Sequence, residues 1–488
     1  MCNSSFVYKQ LHRLLSDLKK MFNKNDFFLK CLIFFVSFKI IAGTNRFEFD
    51  NETYQDFLSA EGLNVFELAK KYGYPLERHN LYTEDGYLIE MHRIPYGIKS
   101  TNRSNRPPVL IAHGSGGTSA EFIMMGERSI GCKLVNAGYD VWMGNARGSM
   151  WSLKHKKYNR RSKQFWQFSF HEIAIYDYTA EIDYITNITG HYKMFFLGHS
   201  QGSTGFFILA AERPDYNERI RLAILMGPTA YTKHNTNPVV LSAADNIEYI
   251  QAILEYMHLY DLPSSRFLSS FLRTMCSSPL RYLCSAYLIL AMGYDMEHID
   301  QRLLSAAISN LPGGVSFQIL THYGQIYKSR RFQKFDFGPK ENLKRYGFEQ
   351  PPLYNISKIT SPVVLMHGKT DMFADPQDVH EFCMDLPNCV LDYFINETTY
   401  SHISYLVGKD ADRIVNNFVI EMYTLLGRFQ KYDYGPDGNL KRYGSIKPPL
   451  YNISKLTTPV AIFYGKTDSF SSQEDNEELS KALPNVKL

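Results

Sequence analysis

The sequence predicts an α/β fold: a mostly parallel central sheet with flanking helices and an inserted helical cap. Three observations predict it. From Pro108 onward, short apolar runs alternate with helix-like segments, which is how strands buried on both faces of a parallel sheet read. Between about residues 228 and 324 those runs stop, and Met- and Leu-rich helical text such as 247–260 and 267–290 replaces them. A glycine-flanked serine, Gly198-His199-Ser200-Gln201-Gly202, stands between one apolar run and the helix-like segment after it.

The strand-like runs are Val109-Leu-Ile-Ala, Tyr139-Asp-Val-Trp-Met, Met194-Phe-Phe-Leu, Leu222-Ala-Ile-Leu and Val363-Val-Leu-Met. They divide the chain into a first core part (residues 44–227), a cap (228–324) and a second core part (325–426). A chain of 488 residues with 44% hydrophobic content can bury a large core, so one large catalytic domain with an insertion fits better than disorder. Lys and Arg number 53 against 49 Asp and Glu, a net charge of +4 with no long basic run, which argues against a nucleic-acid partner.

Residues 1–43 carry a compartment signal. Phe27–Gly43 is apolar apart from Lys30, Ser37 and Lys39 and ends in small residues; it is too short for a comfortable membrane span. Counted from Met21, a short basic stretch, an apolar run and a small-residue end form a signal-peptide layout, which predicts translation from Met21; a retained signal anchor is the alternative. Sequons at Asn51, Asn102, Asn187, Asn355, Asn396 and Asn452 agree with the secretory pathway, hence a secreted or lysosomal protein. Of seven cysteines, Cys2 and Cys31 leave with the signal, so at least one of the others stays unpaired. Cys276 and Cys284 are near enough to close a small loop, with Cys383 and Cys389 a second candidate pair. No His or Cys pair has metal-ligand spacing with a matching partner elsewhere, so no metal site is expected.

Residues 427–488 repeat residues 330–391. Arg331-Phe-Gln-Lys-Phe-Asp-Phe-Gly-Pro recurs as Arg428-Phe-Gln-Lys-Tyr-Asp-Tyr-Gly-Pro, and the match runs without gaps from Leu391 back to Arg331 against Leu488 back to Arg428. Two copies do not make a solenoid; the pattern is that of a partial duplication or of a fused neighbouring gene. The second copy keeps Asp468 but reaches Leu488 before a counterpart of His402, so it is expected to be non-catalytic. Its strand-like Val460-Ala-Ile-Phe needs a sheet edge.

The chemistry centres on Ser200. A strand-to-helix turn this tight needs small flanking residues, which Gly198 and Gly202 supply, and it lifts the serine above the sheet as a nucleophile elbow. A serine hydroxyl needs a base, and the base an orienting acid, in the chain order Ser, Asp, His. His402 follows the strand-like 390–395, and Asp371 follows 363–366, with Asp375 and Asp378 as competing acids. The oxyanion needs two backbone N–H donors, expected at Gln201 after the nucleophile and at Ser115 in the His113-Gly-Ser loop after an early strand. That loop lacks the Gly-Lys-Ser/Thr of a nucleotide cradle. The expected fold is therefore the α/β-hydrolase fold.

From about Tyr72 to Leu426 the chain resembles the acid lipases, the group that includes lysosomal acid lipase and gastric lipase. The resemblance is carried by Gly73-Tyr-Pro-Leu-Glu, Thr83-Glu-Asp-Gly-Tyr, Arg93-Ile-Pro, Gly144-Asn-Ala-Arg-Gly-Ser, Trp151-Ser-x-x-His155, Phe168-Ser-Phe-His-Glu, Gly198-His-Ser-Gln-Gly, Pro312-Gly-Gly-Val-Ser, Ala374-Asp-Pro-Gln-Asp-Val and His402. It implies hydrolysis of triacylglycerols or steryl esters at a lipid–water interface, with no metal or organic cofactor. It favours Asp371 as the acid and places Cys276 and Cys284 at the family's cap disulfide. The chain departs from the family at the polar Ser115-Gly-Gly-Thr, where apolar residues are usual after His-Gly, and at His171, where an acid is usual. A soluble-ester carboxylesterase would share every catalytic residue; an inactive lipid-binding protein is the alternative from another class.

Overall fold

The computed structural model describes residues 62–98, 105–262, 295, 298–299, 313–425, 435–445, 458–462, 479–480 and 483–486. The strands are β1 (Glu77–Tyr82), β2 (Tyr87–Ile94), β3 (Pro108–Ala112), β4 (Asp140–Asn145), β5 (Lys154–His155), β6 (Met194–His199), β7 (Ile220–Met226), β8 (Asp261–Leu262), β9 (Val315–Ser316), β10 (Val363–Gly368) and β11 (Cys389–Ile395). One nine-stranded sheet has the order β1-β2-β4-β3-β6-β7-β10-β11, with β5 beside β2. From β4 to β11 neighbours run parallel, and β1, β2 and β5 add an antiparallel edge.

Each apolar run read from the sequence is one of these strands. β3, β4, β6 and β10 are buried along their whole length, and alternate side chains feed two cores. Leu110, Phe196 and Leu365 enter one core, and Ile111, Leu197 and Met366 enter the other. Helices cover both faces: α1 (Val65–Lys71) and α2 (Ile130–Asn136) on one, α3 (Thr179–Thr189) and α4 (Gln201–Glu212) on the other.

In the inserted region, α5 (Pro238–Asp245) and α6 (Ile247–Tyr256) pack with α7 (Phe317–Ser329), which runs across the expected cap boundary at 324. The helices α8 (Pro339–Tyr346), α9 (Pro376–Asp385) and α10 (Asn417–Leu425) complete the second core part. A disulfide joins Cys383 on α9 to Cys389 on β11, and Cys132 is free and buried. Cys276 and Cys284 lie outside the described residues, as do residues 1–43. Among the described residues no helix is long and apolar enough to cross a membrane.

The described parts of the tail, residues 435–445, 458–462, 479–480 and 483–486, repeat local features of their parent. Its helix α11 (Gly435–Tyr443) matches α8. Gly444 turns left-handed with φ 68° as Gly347 does with φ 78°, and the parallel bridge Val460–Val486 repeats the Val363–Cys389 pairing of β10 and β11. Val460, the first residue of the strand-like 460–463, is thus bridged to a residue of its own copy.

Candidate active site

Ser200 sits at the turn from β6 into α4 with φ 54° and ψ −115°, a strained backbone for a residue with a Cβ. The frame around it holds that conformation. The Ser200 N–H donates to the Met226 carbonyl at 2.9 Å, and the Ser200 carbonyl accepts from Ser203 N and Thr204 N at 2.9 and 3.1 Å. A Cβ on Gly202 would lie 2.2 Å from the Ala112 carbonyl oxygen, and one on Gly198 would lie 2.8 Å from the Gly202 carbonyl carbon. The two elbow glycines thus let α4 start directly against β3.

The chain passes from β3 to β4 on one side and then to β6 on the other, so the carboxyl ends of β3 and β6 flank a topological switch point. Ser200 stands there, with Asp371 beyond the end of β10 and His402 beyond the end of β11. His402 Nε2 lies 2.7 Å from Ser200 Oγ. On the other side of the ring, His402 Nδ1 lies 2.9 Å from both carboxylate oxygens of Asp371. Asp371 also accepts from Phe373 N, Ala374 N and the Tyr405 hydroxyl. Burial pushes the Asp371 carboxyl up, but His402 and the Ala374 and Phe373 amides outweigh it and hold the group below its ordinary value. The competing acids are engaged elsewhere: Asp375 caps α9 through Gln377 N, and Asp378 accepts from Lys233 N and from His234.

Two residues that the sequence reading passed over shape this arrangement. His199 Nε2 donates to the His402 carbonyl at 2.9 Å, and burial pushes this imidazole down to about 3, so it is a neutral brace. Gly227 follows β7 with φ 55°, and a Cβ there would lie 3.0 Å from Asp371 Oδ2 and His402 Nδ1. A glycine immediately after a buried strand was the available signal for it.

The Ser115 hydroxyl donates to Gln201 Oε1 at 2.6 Å, so the two expected oxyanion residues adjoin. Among the described residues, neither backbone N–H donates to a protein acceptor. The loop is fixed from below by His113, whose Nδ1 donates to the Gly114 carbonyl at 2.7 Å and whose Nε2 accepts from Ala146 N. Burial lowers His113 to about 4. His171 meets the Tyr354 hydroxyl at 3.0 Å. Among the described residues no group of three or more His, Cys, Asp or Glu could hold a metal ion.

A mostly parallel sheet with a serine at the strand-to-helix turn over its carboxyl edge is the architecture of the α/β hydrolases. The family model described as "alpha/beta hydrolase fold" matches residues 107–409, and "Partial alpha/beta-hydrolase lipase region" matches residues 65–126. The chain is 38% identical over 353 residues to Lipase 3 of Drosophila melanogaster, covering 72% of this chain and 90% of that one. It is 35% identical over 369 residues to gastric triacylglycerol lipase of Homo sapiens (74% and 90% covered). To Lipase member K of Homo sapiens it is 30% identical over 365 residues (74% and 90% covered). The chain belongs to the acid lipase family and is a serine ester hydrolase.

Proposed function

We propose that this lipase hydrolyses the carboxylic ester bonds of neutral lipids, triacylglycerols or steryl esters, through an acyl-enzyme on Ser200. The observation that carries the proposal is the unbroken line from Ser200 Oγ through His402 to Asp371, at 2.7 and 2.9 Å. His402 takes the Ser200 proton as the hydroxyl attacks the ester carbonyl, and Asp371 holds the ring tautomer and balances the imidazolium. The N–H groups of Ser115 and Gln201 receive the negative charge that develops on the carbonyl oxygen. His402 then returns the proton to the leaving alcohol, and a water activated by the same ring cleaves the acyl-enzyme.

Residues 228–324 act as a cap that lines the acyl pocket, and the substrate is met at a lipid–water interface. The likeness to a gastric lipase supports a secreted or lysosomal site of action. No cofactor enters this chemistry. The test is hydrolysis of an emulsified long-chain triacylglycerol and of a soluble short-chain ester by the wild type and Ser200→Ala. Emulsion activity that disappears in the variant is the expected result. Activity on the soluble ester alone would make the protein a carboxylesterase, and activity surviving Ser200→Ala would overturn the site.

A further inference from the structure

Behind the loop that carries Ser115 lies an ionisable group that the chemistry above does not use. The turn Ser119–Phe122, capped by the Thr118 side chain, folds Glu121 back against residues 114–118. Its carboxyl occupies the space beside Gly117, where a Cβ would lie 2.0 Å from Glu121 Oε1. Oε2 is buried and has no hydrogen-bond partner among the described residues. The groups acting on Glu121 are the backbone amides of Gly114 and Thr118, not a charged side chain. Gly313 N–H also holds the loop, donating to the Gly116 carbonyl at 2.6 Å. The loop is thus contacted both by a buried carboxyl and by a glycine from the far end of the inserted region.

We propose that Glu121 is a positioning residue for the Ser115 loop: while protonated it fills the niche beside Gly117, and its ionisation disables the oxyanion donors. This rests on the assignment of Ser115 made above. A buried carboxyl without a cationic partner is neutral by preference. Burial raises Glu121 to about 8, with the Gly114 and Thr118 amides pulling the other way, so it carries its proton through the neutral range. Once ionised it places a negative charge against the loop whose dipoles must face a second one.

The stability effect has a definite sign. Between the unfolded value near 4.5 and the folded value of about 8, the folded state binds the extra proton. The stabilisation is complete below the unfolded value and is lost as pH rises through about 8.

The experiment is the pre-steady-state acylation rate of the full chain with p-nitrophenyl butyrate from about pH 6 to 10, bracketing this titration, for the wild type and Glu121→Gln. The wild-type rate is expected to fall about tenfold below its plateau by roughly pH 9, as one ionisation near 8 requires. Glu121→Gln, nearly isosteric and never charged, keeps its plateau at unchanged KM, and its melting temperature loses the decline between about pH 5 and 8. Equal alkaline limbs in the two proteins overturn the proposal. So does a wild-type rate that stays flat to about pH 9, which needs no folded variant. A rate that persists in Ser200→Ala would instead overturn the active-site assignment.

Discussion

Residues 331–391 and 428–488 carry closely similar text and share a helix, a left-handed glycine and a parallel bridge at the same place, yet their described residues differ in burial. In the first copy β10 is buried throughout between β7 and β11. In the second, Thr458, Pro459 and Ala461 are exposed and Val460 is only half-buried. Local pattern reproduces local structure, but burial comes from neighbours that were not duplicated. β7 belongs to the part of the chain before the repeat, as do Ser200 and Gly227.

The largest expected difference between the copies is chemical. Asp371→Asn leaves His402 without its orienting carboxylate and is expected to lower kcat on the order of 10⁴-fold, the scale of the corresponding change in other Ser-His-Asp enzymes. Asp468→Asn, at the matching place in the second Gly-Lys-Thr-Asp, is expected to leave kcat unchanged. Steady-state hydrolysis by the two variants decides it, and comparable losses from both would mean that the second copy takes part in the site.

Next in size is packing. A Cβ on Gly368 would lie 2.5 Å from the Tyr400 carbonyl oxygen, so Gly368→Ala must displace the backbone two residues before His402. A cost of about 1–3 kcal/mol is expected in urea unfolding. Gly465→Ala, its counterpart, is expected to change stability by less than about 0.5 kcal/mol. A Gly465→Ala cost as large as that of Gly368→Ala would show that the second copy is packed as tightly as the first.

The disulfide sharpens the same contrast. Cys383–Cys389 closes a short loop with a sequence separation of 6, and replacing both cysteines by serine is expected to cost about 2 kcal/mol by loop-entropy arguments. The copy has Ser480 and Val486 at those places. With residues 479–480 helical and Val486 paired to Val460, the double change Ser480→Cys/Val486→Cys is expected to form a disulfide spontaneously. Intact-mass analysis before and after reduction reads the outcome; two free thiols would mean that the copied pairing does not persist in solution.

The parts of this molecule that could be read from sequence are those governed by local rules. A strand buried on both faces is a continuous apolar run, so β3, β6, β7 and β10 stood out, and the elbow stood out because its turn demands Gly198 and Gly202. β1 was hidden by its burial, which alternates at an exposed sheet edge, and β2 by charged residues such as Arg93, paired with Asp140 on β4. The choice among Asp371, Asp375 and Asp378 could not be made from spacing, because it depends on which carboxylates the α9 cap and His234 occupy. His199 was unreadable for a similar reason: its partner is a backbone carbonyl 203 residues away.

The smallest expected effect tests whether the second copy matters at all. The helix α10 closes the core by placing the Tyr423 hydroxyl 2.7 Å from the Phe196 carbonyl on β6, so the sheet that carries Ser200 is sealed before the repeat begins. Ending the chain after Leu426 is therefore expected to leave kcat/KM within about twofold, the range of changes remote from the buried core. The exposed outer strand complicates this. β11 ends the sheet, and Val390, Leu391 and Phe394 on it are exposed, a surface to which a copied strand could add. A truncated protein several-fold more active than the full chain would mean that the copy competes with its parent for the sheet. A less active one would mean that it protects this edge.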